Sequence, residues 1–175
     1  MPDSSVPKEP MAFDPVTLRL LNEQVALESH ASSSYLAMAT WSEVQGYLGA
    51  AGLLYRQAEE ERTHMLKVVR YLTERGVVPQ PPAQGACPSS YASLHALLQA
   101  AYDQECQVTA AIHKLVSHAL QQQDFATFQF LQWFVVEQRE EEATAQRALE
   151  LCKLIGTEGI GRYTLDQALE DLGKK

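Results

Sequence analysis

Apolar residues step by three and four through four long stretches of the chain, the periodicity of helices that bury one face. One stripe reads Leu21, Val25, Glu28, Ser32, Tyr35, Ala39, and a second reads Leu54, Ala58, Glu61, Met65, Val68, Leu72. A third reads Leu94, Leu98, Ala101, Glu105, Val108, Ile112, Leu115, Ala119. The fourth reads Leu131, Phe134, Gln138, Glu141, Ala145, Ala148, Cys152. Stop and start signals bound them. Asp14 and Pro15 open the first helix, with an acceptor at the N-cap and a proline in the first turn, and it runs to about Gln45 before Gly46. The second runs from about Leu48 to Arg75 and stops at Gly76, the third from about Tyr91 to Gln121. Asp124 caps the fourth, which reaches Ile155 before Gly156, and RYTLDQALEDL forms a short fifth. Between the second and third lies VVPQPPAQGACPSS, whose four prolines forbid helix. Nothing reads as a strand. The expected fold is all-α: a four-helix bundle with one long crossover between helices 2 and 3 and a short C-terminal helix. Residues 1–13, rich in proline and serine, read as a flexible arm, and 14–175 as a single domain.

Each long stripe carries a glutamate near its midpoint: Glu28, Glu61, Glu105 and Glu141. In one helix this could be an error of phase that puts a surface residue on the wrong face. Four helices making the same exception at matching height argue against that. An isolated carboxylate moved into a low-dielectric core costs several kcal/mol even after relaxation. Four together would repel one another and take up protons. A cation bound between them removes the penalty. His64 lies one turn after Glu61 on the same side, so both can serve one ion. Carboxylates with one imidazole form a hard to borderline donor set, and carboxylate bridges suit two cations about 3.5–4 Å apart. Two irons are the leading choice. Calcium has little use for an imidazole, and catalytic zinc takes more of them.

Composition narrows the field further. The net charge of −8 argues against a nucleic-acid partner, and 46% apolar residues suit a folded domain. Three cysteines at unrelated positions, 87, 106 and 152, offer no zinc or rubredoxin-type motif and fit a reducing compartment. The first residues lack the apolar core of a secretory signal, and no run approaches the roughly 20 apolar residues that span a membrane. The expected location is the cytoplasm.

The stretches LNEQVALESHASSSYLAM, QAEEERTHM, YDQECQVT, FLQWFVVEQREEE and GRYTLDQAL together resemble the ferritins, specifically the haem-free bacterial type, over residues 14 to 170. The resemblance implies a ferritin-like bundle with ferroxidase activity: Fe2+ is oxidised by O2 or H2O2 at a di-iron centre inside each subunit. Fe3+ is then stored as mineral in a hollow 24-subunit homo-oligomeric shell. It implies that Glu28, Glu61 and His64 hold the first iron, with Glu61 bridging, and that Glu105 and Glu141 complete the second, with Gln138 close by. Tyr35 would be a hydrogen-bond donor and a one-electron donor beside them. A third, weaker iron position would use Glu60, Glu137 and Glu140. Set against these roles, Tyr35 is also an ordinary core residue, and Glu59 and Glu142 read as solvated. Trp133 and Phe134 read as core. His30, His95, His113 and His118 have no carboxylate at ligand spacing and read as non-ligands.

Departures from related patterns sharpen the expectation. Three residues after Glu141 stands Thr144, so the second Glu-x-x-His of a symmetric di-iron bundle is absent and the second metal should bind more weakly. Arg62 follows the bridging glutamate where bacterioferritins carry their haem-binding methionine, so no haem is expected. Phe128 and Leu131 stand where animal ferritins line a three-fold iron channel with acids. Leu53, Tyr71 and Phe125 are read as exposed apolar residues available for subunit contacts. Two rivals share parts of the pattern: a soluble di-iron oxidase or peroxidase without storage, and a non-enzymatic helical binding module. The module would have apolar stripes throughout.

Overall fold

The computed structural model describes residues 13–174. It contains α1 (Pro15–Val44), α2 (Leu48–Glu74), α3 (Leu94–Gln121), α4 (Phe125–Ile155) and α5 (Gly159–Leu172), and among the described residues there is no strand. α1 packs along α2 and α3 along α4; α1 also meets α3, and α5 lies across α2 and α4. Among the described residues no helix is long and apolar enough to cross a membrane.

The helix ends follow local chemistry. Asp14 accepts the Val16 and Thr17 N–H groups, each at 3.0 Å, and starts α1. α3 starts three residues later than the periodicity suggests, because the Ser93 hydroxyl accepts the Ala96 N–H and fixes the cap there. α5 starts earlier than expected, at Gly159, taking both glycines into its first turn. α2 has no side-chain cap of its own. Its first turn is capped by α5 instead: the Asp166 carboxylate accepts the Gly49 and Ala50 N–H groups, both at 2.9 Å. Only glycine fits at position 49, since a methyl group there would overlap the Asp166 carbonyl oxygen.

The core is divided. One apolar half holds Met38, Ala39, Leu54, Leu97, Leu98 and Ala148, joined by Leu165 and Leu169 of α5. The other holds Leu21, Val25, Val68, Ile112, Leu131 and Phe134. On every long helix the switch between halves falls at the mid-stripe glutamate. The bundle is thus two dry cores separated by a polar belt.

Two details correct the surface reading. Leu53 is buried, in the half of the core that α5 completes, and Tyr71 is half-buried, stacked on Phe130 with ring centroids 3.9 Å apart. Phe125 does remain exposed. Phe13, counted above with the arm, packs edge-on against Tyr71 and beneath the Arg75 guanidinium. The rest of that arm, residues 1–12, lies outside the described residues.

Candidate metal centre

Glu28, Glu61, His64, Glu105, Gln138 and Glu141 are all buried, at most 5% exposed. They occupy the belt because each sits on the inward stripe of its helix, where the apolar run is interrupted.

One group of donors is Glu28, Glu61 and His64, with ligand atoms within 4.8 Å of one another. The His64 Nδ1 lies 3.7 Å from Glu61 Oε2. Oε2 of Glu28 and Oε2 of Glu61 are buried without a hydrogen-bond partner. Orphaned carboxylate oxygens converging on one imidazole are what a cation would satisfy. A second group is His64, Glu137 and Glu141, with the His64 Nε2 4.0 Å from Glu137 Oε1. His64 therefore stands between the two groups, its ring held by edge contacts with Trp133 and Phe134 at 5.3 and 6.3 Å.

Glu105 is in neither group. Both its oxygens are engaged: Tyr35 donates its hydroxyl to Oε1 at 2.5 Å, and the Gln138 amide donates to Oε2 at 2.7 Å. Gln24 donates to Glu28 Oε1 at 2.8 Å. This support was not singled out in the sequence, although the signal is there: Gln24 precedes Glu28 by four residues on the same stripe. Glu60, Glu137, Glu140 and Glu141 line a cavity of about 300 Å³ between α2 and α4 that opens beside the belt. Glu60 is held by the Gln57 amide. Glu142, read as solvated, is half-buried, and Glu59 is exposed. His30, His95, His113 and His118 join neither group. His118 does have a carboxylate partner, 2.8 Å away: it pairs with the cap residue Asp14, across the bundle rather than within one helix.

Electrostatics mark the belt as a place of unmet charge. Burial, followed by the charge of Glu61, raises Glu28 well above the ordinary carboxylate range. Burial, then Glu105, does the same to Glu61. Glu141 is pushed up to about 8 by burial and by Glu105. Glu105 is raised by burial, with the Tyr35 and Gln138 hydrogen bonds pulling the other way. Tyr35 is raised well above its usual value by burial and then by the Glu105 charge, so its hydroxyl keeps its proton and donates it. The belt without metal stores protons; a divalent cation would displace them.

Comparison with known proteins agrees with this fold. The profile of the ferritin-like domain matches residues 18–155. The bacterial non-heme ferritin of Escherichia coli O157:H7 is 38% identical over 158 residues, 90% of this chain and 96% of the relative. That of Campylobacter jejuni is 36% identical over 155 residues, 89% and 93% of the two chains. Among solved structures, an open pore ferritin from Archaeoglobus fulgidus superposes with a TM-score of 0.86 at 35% identity, covering 90% of this chain and 96% of that one. With the expected bundle, the divided core and a profile match across all four long helices, the chain belongs to the ferritin family.

Proposed function

We propose that this chain is an iron-storage subunit that oxidises Fe2+ at the belt and passes Fe3+ inward. The observation that carries the reading is the pair of orphaned carboxylate oxygens, on Glu28 and Glu61, meeting His64 inside an otherwise dry core. Fe2+ is the substrate. Glu28, Glu61 and His64 take one ion, and Glu141 with Glu105 takes the other, Glu61 bridging. Gln138 and Tyr35 hold Glu105 back until the second ion draws it in, and Gln24 orients Glu28. Each Fe2+ gives up one electron. O2 accepts both with two protons and leaves as H2O2, or H2O2 accepts them with two protons and leaves as two waters. The protons displaced from the glutamates on metal binding can meet that demand.

Glu60, Glu137 and Glu140 form a third, weaker iron position, and the cavity they line with Glu141 is the way inward to the mineral. Residues 14–175 act as one ferritin-like domain, in the cytoplasm, within a 24-subunit homo-oligomeric cage. No haem takes part, since Arg62 occupies the haem-ligand position.

The test is aerobic Fe2+ loading of metal-free protein, followed by size exclusion with iron counted per chain. A large particle holding far more iron than the two or three ions per chain that the ligands can seat is the expected result. Uptake that stops at two or three per chain would make the protein a di-iron oxidase instead. Retention of no iron would end the reading altogether, as would an unchanged oxidation rate in Glu61→Ala.

A further inference from the structure

Three metal-binding donors that the belt does not use line one cavity beside the crossover, and two of them touch. Cys87 lies against α1, its Sγ 3.8 Å from the His30 Nδ1 and 3.9 Å from the His30 carbonyl oxygen. Met65 of α2 lines the same cavity of about 250 Å³, together with Pro81 and Pro82 of the crossover. Among the described residues no carboxylate lines it. The thiol, thioether and imidazole thus form a donor set opposite in character to the belt. Hard ions such as Fe2+, Mg2+ and Ca2+ are poorly served here, and soft ions well.

The spacing is informative. Metal–thiolate and metal–imidazole bonds are about 2.3 and 2.0 Å, so donors 3.8 Å apart subtend about 120° at a shared ion. That angle suits a three-coordinate site, and Met65, on the wall of the same cavity, is the remaining soft donor. Zn2+ would need a fourth ligand, and the cavity adds only serine hydroxyls and a glutamine amide. An activated thiol is the other use of a Cys–His contact. Burial pushes the Cys87 thiol up, however, which works against a resident thiolate. A soft cation supplies the missing driving force by displacing the thiol proton to solvent.

We propose that Cys87, His30 and Met65 bind one Cu(I) ion per chain, between the crossover and the α1–α2 pair. All three donors belong to one chain, so the site exists with or without a cage. It also stands apart from the iron reading: hard ions go to the oxygen belt and a soft ion to the crossover.

The experiment is an anaerobic Cu(I) titration of the full-length, metal-free protein against a chromophoric Cu(I) chelator, with X-ray absorption on the loaded protein. The parent should withdraw one Cu(I) per chain at least 100-fold more tightly than Cys87→Ser. Cys106→Ser, which removes a thiol elsewhere, should behave as the parent. Met65→Leu should weaken the ion 10- to 100-fold, and the absorption spectrum should show sulfur and nitrogen neighbours. His30→Gln provides a second route if Cys87→Ser fails to fold, and it too should lose the tight ion. Equal stoichiometry and affinity in the parent and in Cys87→Ser or His30→Gln would overturn the proposal, as would a parent that takes up no Cu(I). None of these outcomes depends on whether the belt oxidises iron.

Discussion

Glu141→Gln tests the electrostatic account of the belt directly. The substitution keeps shape and removes a charge that the fold has to bury. Glu141 rises from its ordinary 4.5 to about 8, because burial and Glu105 both disfavour its ionised form. The folded protein therefore binds this proton more tightly than the unfolded chain does. By linkage, the proton's contribution to stability is complete below pH 4.5, falls as pH climbs, and levels off above about 8. At 1.36 kcal/mol per pH unit, the whole span is worth about 5 kcal/mol, and about half of it is lost by pH 6.5. The amide cannot ionise, so the variant escapes this loss, and the neighbouring Glu105 is relieved as well. The assay is guanidinium unfolding of chelator-stripped protein at fixed protein concentration, since assembly also shifts the midpoint. With a slope of about 4 kcal/mol per molar, the variant's midpoint should exceed the parent's by roughly 1 M at pH 8.5. At pH 4.5 the two should nearly coincide. A midpoint difference that is the same at both pH values would refute the reasoning, because it would mean that Glu141 does not titrate across this interval.

Other residues give sharper local tests. Tyr35→Phe leaves a buried Glu105 oxygen without its donor, which should cost about 1–3 kcal/mol in metal-free protein, read by the same unfolding assay. It should also raise the pH at which the Glu105 carboxyl band disappears from the infrared spectrum. Gln24→Leu removes the orienting hydrogen bond on Glu28, and Co2+ or Zn2+ binding by calorimetry should weaken about 10- to 100-fold. Asp166→Ala uncaps α2 and loosens α5 together, for a loss of about 1–2 kcal/mol and faster amide exchange at Gly49 and Ala50. Gly49→Ala should do more damage, as the added methyl has no space beneath Asp166.

The four long helices, the crossover and the belt could be read from the sequence because they rest on period and punctuation, which are local. Glu28, Glu61, Glu105 and Glu141 stood out because burial and charge conflict there, and a conflict repeated on four helices is hard to produce by chance. What could not be read depended on contacts between distant residues. The cap of α2 comes from Asp166, more than a hundred positions away, and no local pattern announces it. Leu53 looks exposed by helical phase within the four-helix bundle and is buried only because α5 crosses that face. His118 lacks a partner on its own helix and finds Asp14 across the bundle. The division of the carboxylates was also beyond the stripe pattern. Phase sets which side a residue faces, but the hydrogen bonds from Tyr35 and Gln138 hold Glu105 apart from the two donor groups.

That division bears on how such a site handles cargo. Glu28 and Glu61 each keep a buried oxygen without a partner, in a group with His64 whose donor atoms lie within 4.8 Å of one another, so an ion arriving there gains ligands with little rearrangement. On the proposed reading an ion at either position displaces protons, since burial raises Glu28 and Glu61 as well as Glu141, but only the second must also compete with the Tyr35 and Gln138 hydrogen bonds for Glu105. Thr144 stands where a symmetric centre would add an imidazole to offset those costs. The two positions are thus unequal before any metal binds. The weaker one lies on the side where Glu141 borders the acid-lined cavity. On the proposed function, an affinity that falls toward that cavity would favour onward movement over permanent residence. It follows that replacing Thr144 by His should trap metal rather than improve turnover. In Thr144→His the second Co2+ should bind at least tenfold more tightly by calorimetry, while the rate at which iron clears the centre after oxidation should fall. A variant that bound the second ion more tightly and still cleared iron at the parent's rate would show that affinity at this position does not govern transit.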